Sequence, residues 1–279
     1  MLHQYEEEKG LLEEIEICLL LEGIYRHYGH DFRNYSYSSI RRRIWHRIRA
    51  ERLRSISALQ EAVLHDPGTM ERLFSDFSIN VTEMFRDPSF FLAIRRKVVP
   101  LLQNLPAIRI WHAGCSTGEE VYSMAILLYE EGLYDRCTIY GTDMNHRVLE
   151  QAESGSFPLQ KMQLYTKNYL QSGGEEAFSE YYKVKGNQVA FHPFLSENIV
   201  FSQHNLATDH SFNEFHIIIC RNVLIYFNEI MHQRVIQLFK DSLVASGFLG
   251  LGRKEGIHRN LQREAFEVID PQEKIYRKM

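Results

Sequence analysis

The sequence has no long apolar run. Ile17–Leu21 is short, and Arg221 and Asn222 break the stretch from Phe215 to Phe227, so neither approaches the ~20 residues that cross a bilayer. No basic-then-apolar leader opens the chain, whose start is rich in glutamate, and a secretory signal is not expected. The four cysteines, Cys18, Cys115, Cys137 and Cys220, stand far apart without a Cys-x-x-Cys pair. That spacing argues against a zinc site or a disulfide framework and for a reducing, cytoplasmic location. Thirteen histidines include no HExxH-like spacing, and no metal is expected. A net charge of −4 excludes a polycation built to hold nucleic acid. What remains, 44% apolar and 24% charged residues over 279 positions, suits one large or two modest globular domains.

The charge is uneven. Residues 6–16 carry six glutamates against one lysine, whereas Arg41 to Arg54 holds seven arginines and one glutamate. Up to about residue 85 the periodicity is helical. Leu11, Ile15, Cys18, Leu19, Leu21 and Ile24 form an apolar stripe. Ser38 or Ser39 can cap a helix bearing Ile40, Ile44 and Ile48, and Asp66-Pro67-Gly68 separates two further helices, Ser57–Leu64 and Gly68–Phe77. From Ile108 short β-rich runs alternate with helices, as in a doubly wound α/β sheet. The expected strands are Ile108–Trp111, Thr138–Tyr140, Ile199–Ser202, Ile217–Ile219, Phe248–Leu251 and Lys274–Arg277, with helices over Glu119–Glu131, Arg147–Glu153 and Glu229–Leu243. Between Phe157 and Leu195 the alternation stops, and Tyr181–Val184 and Gln188–Phe191 flank Gly186-Asn187 like a hairpin. The reading is therefore a helical domain, residues 1–87, followed by an α/β domain, 88–279, with a small β insertion at about 157–195.

Ala113-Gly114-Cys115-Ser116-Thr117-Gly118-Glu119-Glu120 follows a strand and opens a helix. Such a turn lets backbone approach a nucleotide-like cofactor, although a tight strand-to-helix connection looks the same. Glu119 and Glu120 would repel a pyrophosphate at the helix start. They suit S-adenosylmethionine, which carries a sulfonium and an ammonium and no phosphate. Asp143 closes the second strand where an acid meets ribose hydroxyls, or caps the helix before Asn145. Asn205 and Leu206, after the third strand, can meet the edge and face of an adenine, or Asn205 is a turn residue.

The acceptor is harder to read. No two prolines are adjacent, so the Asn/Asp-Pro-Pro-Tyr pattern of amine methylation is missing, and clustered carboxylates for a metal-assisted reaction are not seen. A carboxylate acceptor is already ionised near neutral pH and needs alignment more than a base. An arginine and a tyrosine hydroxyl would serve. Asn80 to Asp87 supplies Arg86, and Cys220 to Phe227 supplies Tyr226, each of which could equally be a surface ion pair or a core tyrosine.

Taken in order, Asn80-x-Thr82-x-x-Phe85-Arg86-Asp87, Ser116-Thr117-Gly118-Glu119-Glu120, Thr142-Asp143, Asn205-Leu206 and Cys220-Arg221-Asn222-x-x-Ile225-Tyr226-Phe227 resemble the signature of the CheR-type chemotaxis receptor glutamate methyltransferases. The resemblance implies a helical N-terminal domain and a Rossmann-like α/β methyltransferase domain with an inserted β subdomain. It implies S-adenosylmethionine as cofactor, surrounded by Asn80, Thr82, Arg86, Glu120, Asp143, Asn205, Leu206, Arg221 and Asn222. Arg86 and Tyr226 would flank the sulfonium and the incoming glutamate. The arginine helix, with Arg42, Arg43, Arg47, Arg49 and Arg54, would face the methylated helices of a receptor's cytoplasmic bundle. A monomer with no nucleic-acid partner and no membrane insertion is expected.

Two departures from the family stand out. Leu251 to Gly256 carries Arg253 and Gly256 where small or hydroxyl residues are usual. The turn at Lys185-Gly186-Asn187 is short, so no tether to a receptor C-terminal peptide is expected. A non-catalytic S-adenosylmethionine-binding regulator of the same fold is the alternative reading.

Overall fold

The computed structural model describes residues 2–78 and 80–279, and side chains from residue 10 onward within this range. The contacts divide the chain into two units: Met1–Ile79 with Tyr226–His232, and Asn80–Ile225 with Gln233–Met279.

In the first unit four helices follow one another: α1 (Leu2–Tyr28), α2 (Tyr37–Ala50), α3 (Ile56–His65) and α4 (Pro67–Phe77). Their ends are written locally. The Ser55 hydroxyl accepts the Ala58 N–H at the start of α3. The Asp66 carboxylate accepts from Gly68 and Thr69 at the start of α4, with Pro67 in the first turn. Thus Asp66, expected to separate two helices, also caps the second of them. The N-cap of α2 is Ser36, slightly before the Ser38 or Ser39 expected, and it makes no side-chain cap bond. Ile40, Ile44 and Ile48 are buried as expected. The stripe expected on α1 is corrected in part: Leu21 and Ile24 are buried as expected, but Leu11 (60% exposed), Ile15, Cys18 and Leu19 face outward, and Ile17 and Leu20 enter the core in their place. Tyr226–His232 packs into this unit, with the Ser36 N–H donating to the Tyr226 carbonyl at 2.7 Å and Phe227 edge-on to Tyr35.

The second unit opens with α5 (Pro88–Ala93), a wider turn over Ile94–Val98 and α6 (Val99–Leu102). Next come β1 (Ile108–Ala113), α7 (Glu119–Glu130), β2 (Cys137–Asp143) and α8 (His146–Glu153). The insertion contains β3 (Ser156–Pro158), α9 (Met162–Gln171), β4 (Tyr182–Lys185) and β5 (Gln188–Phe191). The chain ends with β6 (Ile199–Gln203), β7 (Phe215–Cys220), α10 (Glu229–Ser242), β8 (Leu243–Leu251), α11 (Arg259–Ala265), β9 (Phe266–Asp270) and β10 (Ile275–Lys278). The seven-stranded sheet runs β6-β2-β1-β7-β8-β10-β9. It is parallel from β6 to β8, and β10 is antiparallel to both its neighbours. β1 lies between β2 and β7, so the strand order reverses direction there, and loops leaving the strand ends on either side diverge to open a crevice.

The insertion forms a separate antiparallel sheet, β3-β5-β4. Its aromatic residues seat it: Phe191 stacks on Tyr122 of α7, and Phe157 meets Tyr122 edge-on. Glu130 ends α7 and accepts hydrogen bonds from the hydroxyls of Tyr169 and Tyr181, with Arg95 paired to its other oxygen. Asn80–Asp87, expected at the end of the helical domain, packs instead in the second unit, where the buried Phe85 meets Phe91 and Tyr169 edge-on. Among the described residues, no helix is long and apolar enough to cross a membrane.

Candidate functional site

The loop after β1 is shaped by the protein's own neighbours. Gly114, Ser116 and Gly118 all have left-handed backbone. A Cβ on Gly114 would lie 2.5 Å from Val223 Cγ2, and one on Gly118 would lie 2.9 Å from Ala152 Cβ. The glycines expected to make room for a ligand are thus required by Val223 and by α8. Asp143, at the end of β2, holds this loop. Its carboxylate accepts the Ser116 N–H and the Asn145 N–H, each at 3.0 Å. Burial pushes its carboxyl up, against the pull of the Asn145, Ser116 and Met144 N–H groups. It does not cap α8; the Asn145 side chain does that.

The two adjacent glutamates diverge, because successive residues on a helix point about 100° apart. Glu119 turns toward the insertion, where the hydroxyls of Thr117 and Tyr165 reach its carboxylate at 2.5 and 3.2 Å. Burial raises its carboxyl. Glu120 enters the strand-end network. Its Oε1 lies 3.0 Å from His112 Nδ1, and its Oε2 accepts from Arg221 Nη1 at 3.0 Å. Burial would push the Glu120 carboxyl up, but the His112 hydrogen bond and the Arg221 charge outweigh it, and the carboxyl sits below its ordinary value.

Arg221, 2% exposed at its side chain, is the hub: it also pairs with Asp87 at 2.5 Å, donates to the Arg86 carbonyl at 3.0 Å, and lies over the Phe90 ring. Arg86 thus joins through its backbone, while its own guanidinium donates to the Val81 carbonyl. Asn222 has left-handed backbone and gives its N–H to Glu255. Asn80 and Thr82 are half-buried on the segment leading to Arg86. Asn205 closes a turn, in which its Oδ1 accepts the Ala207 N–H, and Leu206 is buried beside it.

Sequence reasoning passed over His112 and, while quoting Asp87, Ser116 and Glu255 within longer motifs, gave them no role at the site. A signal existed for His112, the polar residue closing an otherwise apolar strand end. The Leu251–Gly256 departure is structural: Arg253 pairs with Glu273 and donates to Ser89, and Glu255 binds the backbone of the loop after β7. Of the five arginines expected to meet a partner, Arg42, Arg49 and Arg54 are exposed. Arg43 is buried, with its guanidinium over the Tyr226 ring at 4.9 Å and a bond to Ser39 Oγ; burial lowers its pKa. Arg47 pairs with Asp76 and Glu51. Both sit three residues beyond a core isoleucine, and that helical phase turns them inward.

Among the described residues, four buried polar atoms without partners belong to this region: His112 Nε2, Ser116 Oγ, Arg221 Nε and Asn222 Oδ1. Buried polar atoms are rarely left so, and a polar cofactor at the strand ends fits them. The sheet and site are those of an S-adenosylmethionine-dependent methyltransferase. The chain belongs to the CheR methyltransferase family: the model of that family's SAM binding domain matches residues 80–275, and that of its all-alpha domain matches residues 15–78. It is 49% identical to a protein of Pseudomonas putida named as the methyltransferase Cher3, over 95% of this chain and 97% of that one. It is 30% identical to a chemotaxis protein methyltransferase of Listeria innocua, covering 83% and 86% of the two chains. A chemotaxis protein methyltransferase of Borreliella burgdorferi is 31% identical over 69% of this chain and 70% of its own.

Proposed function

We propose that the chain methylates glutamate side chains on the cytoplasmic helical bundle of methyl-accepting chemotaxis-type receptors, forming glutamate methyl esters. The observation that carries the acceptor is the exposed arginine set of α2 and the turn after it, Arg42, Arg49 and Arg54. A receptor helix bearing glutamates is a negative stripe, which such a surface complements. The names of the relatives support the same pathway. Each ester removes one negative charge from the bundle, and that change is the signal.

Bound S-adenosylmethionine supplies an electrophilic methyl carbon on a positively charged sulfur. Glu120 would attract the ammonium end, Asp143 would accept from ribose hydroxyls, and Asn205 with Leu206 would meet the adenine. Asn80, Thr82, Arg86, Arg221 and Asn222 complete the set. Arg86 and Tyr226 are assigned to the acceptor: the guanidinium aligns the carboxylate and the hydroxyl donates one hydrogen bond to it. The carboxylate is ionised near neutral pH, so these residues need to orient it and keep water away.

The test is transfer of labelled methyl to receptor membranes, read as base-labile esters. Arg86→Ala and Tyr226→Phe are each expected to lower kcat about a hundredfold, more than they weaken cofactor binding. Wild-type turnover in both would remove them from the assignment, and cofactor binding without ester on any receptor would favour the non-catalytic regulator. Asp143→Ala should instead raise the cofactor Kd about tenfold or more, since it removes an acceptor for the ligand and orphans two N–H groups. Calorimetry with the product, S-adenosylhomocysteine, measures this.

A further inference from the structure

His112 is fully buried near the end of β1, and among the described residues its imidazole hydrogen-bonds through one nitrogen. Its Nδ1 lies 3.0 Å from Glu120 Oε1, while Nε2 has no hydrogen-bond partner among the described residues. The other Glu120 oxygen takes the Arg221 Nη1 bond at 3.0 Å. A carboxylate is an acceptor only, so the imidazole must carry its proton on Nδ1. The glutamate is therefore held at both oxygens, by an imidazole N–H on one side and a guanidinium on the other. Held at one oxygen it could rotate about its last bond; held at two it presents its remaining lone pairs in one direction. A leucine at position 112 would fill the space without burying an unpaired nitrogen. The histidine therefore makes little sense as core filling.

We propose that His112 is a positioning residue of the cofactor site, acting through Nδ1–H on the Glu120 carboxylate and thereby setting affinity for the positively charged amino-acid end of S-adenosylmethionine. This rests on the reading that Glu120 faces that end. Nothing in the reaction itself needs the imidazole: no proton is taken from an ionised acceptor, and among the described residues the imidazole hydrogen-bonds to Glu120 alone.

The test uses the full chain and S-adenosylmethionine itself. Histidine-to-asparagine places an amide N–H near the position of Nδ1, whereas glutamine places its amide near that of Nε2, and valine supplies neither. His112→Val and His112→Gln are expected to raise the cofactor Kd in calorimetry about tenfold, the loss of one hydrogen bond to a charged group. His112→Asn should return it to within about threefold of wild type. In receptor methylation the loss should appear in KM for the cofactor rather than in kcat. Wild-type affinity in His112→Val would overturn the proposal, as would an asparagine variant no better than the glutamine one. If the wild-type chain bound no S-adenosylmethionine, the cofactor reading would fall and this inference with it; if wild type bound and all three variants matched it, only the inference would fall.

Discussion

Replacing Arg221 with alanine is expected to lower stability by about 3–5 kcal/mol at neutral pH and to abolish methyl transfer. The guanidinium is buried between two carboxylates, 2.5 Å from Asp87 and 3.0 Å from Glu120. Asp87 is about one-third exposed, so its share of the effect is small. Glu120 carries most of it. With Arg221 gone, Glu120 keeps the His112 hydrogen bond but loses the guanidinium charge, and its carboxyl moves up from its present lowered position. A depressed carboxyl contributes stability above the ordinary carboxylate range and loses it as pH falls through the folded value. The gap between wild type and variant should therefore be widest near pH 7 and narrow as pH drops below that range. Urea unfolding at several pH values measures it. Arg221→Lys should recover only part, since one ammonium cannot reach Asp87, Glu120 and the Arg86 carbonyl together. A loss below about 1 kcal/mol for Arg221→Ala would mean that the network behaves like exposed charge.

Much of this arrangement is legible in the chain, and the failures have physical causes. Strands such as Ile108–Ala113 and Phe215–Cys220 are apolar runs between turn signals, and α7 starts directly after Gly118. The inward face of α1 is not legible because that helix bears two apolar stripes. Periodicity says that a face is apolar, not which one the core takes. α9 escapes because Tyr165 and Tyr169, both buried, sit in a polar segment without an N-terminal cap bond. β9 escapes as an edge strand in which Phe266 alone is buried. At the site, spacing locates the strand-end positions, and the family resemblance supplies the residues proposed to hold the cofactor. Neither reveals the partnerships. Glu119 and Glu120 are neighbours in sequence and part company in space, and Arg43 and Arg47 share a basic run with Arg42 and Arg49 yet turn inward. Such choices are made by rotation about a helix and by contacts distant in sequence, such as Glu255 with Asn222.

Glu255→Ala is expected to cost about 3 kcal/mol and to weaken cofactor binding, although Glu255 itself is not assigned to the cofactor. Its Oε2 accepts the N–H of Gly252 at 2.6 Å and of Asn222 at 3.1 Å. Its Oε1 accepts the N–H of Ile225 at 3.2 Å, and the Leu224 N–H adds to the same field. One buried side chain thus satisfies the tight turn after β7, and alanine would leave those donors without an acceptor. Asn222 stands at φ 61°, a conformation that a non-glycine residue keeps only when its surroundings impose it. Loss of the Glu255 bond to its N–H should let it relax, carrying Val223 away from Gly114. Burial already pushes the Glu255 carboxyl up, against the pull of these N–H groups. Glutamine, a neutral group of the same shape, should therefore retain more stability than alanine. It keeps one carbonyl oxygen but turns an amide NH2 toward donors on the other side, so it should fall between alanine and wild type. Denaturant midpoints for both variants, paired with cofactor calorimetry, check this ordering. An alanine variant within about 0.5 kcal/mol of wild type would show that water or a rearranged backbone replaces the carboxylate, and the turn would then owe its shape to packing alone.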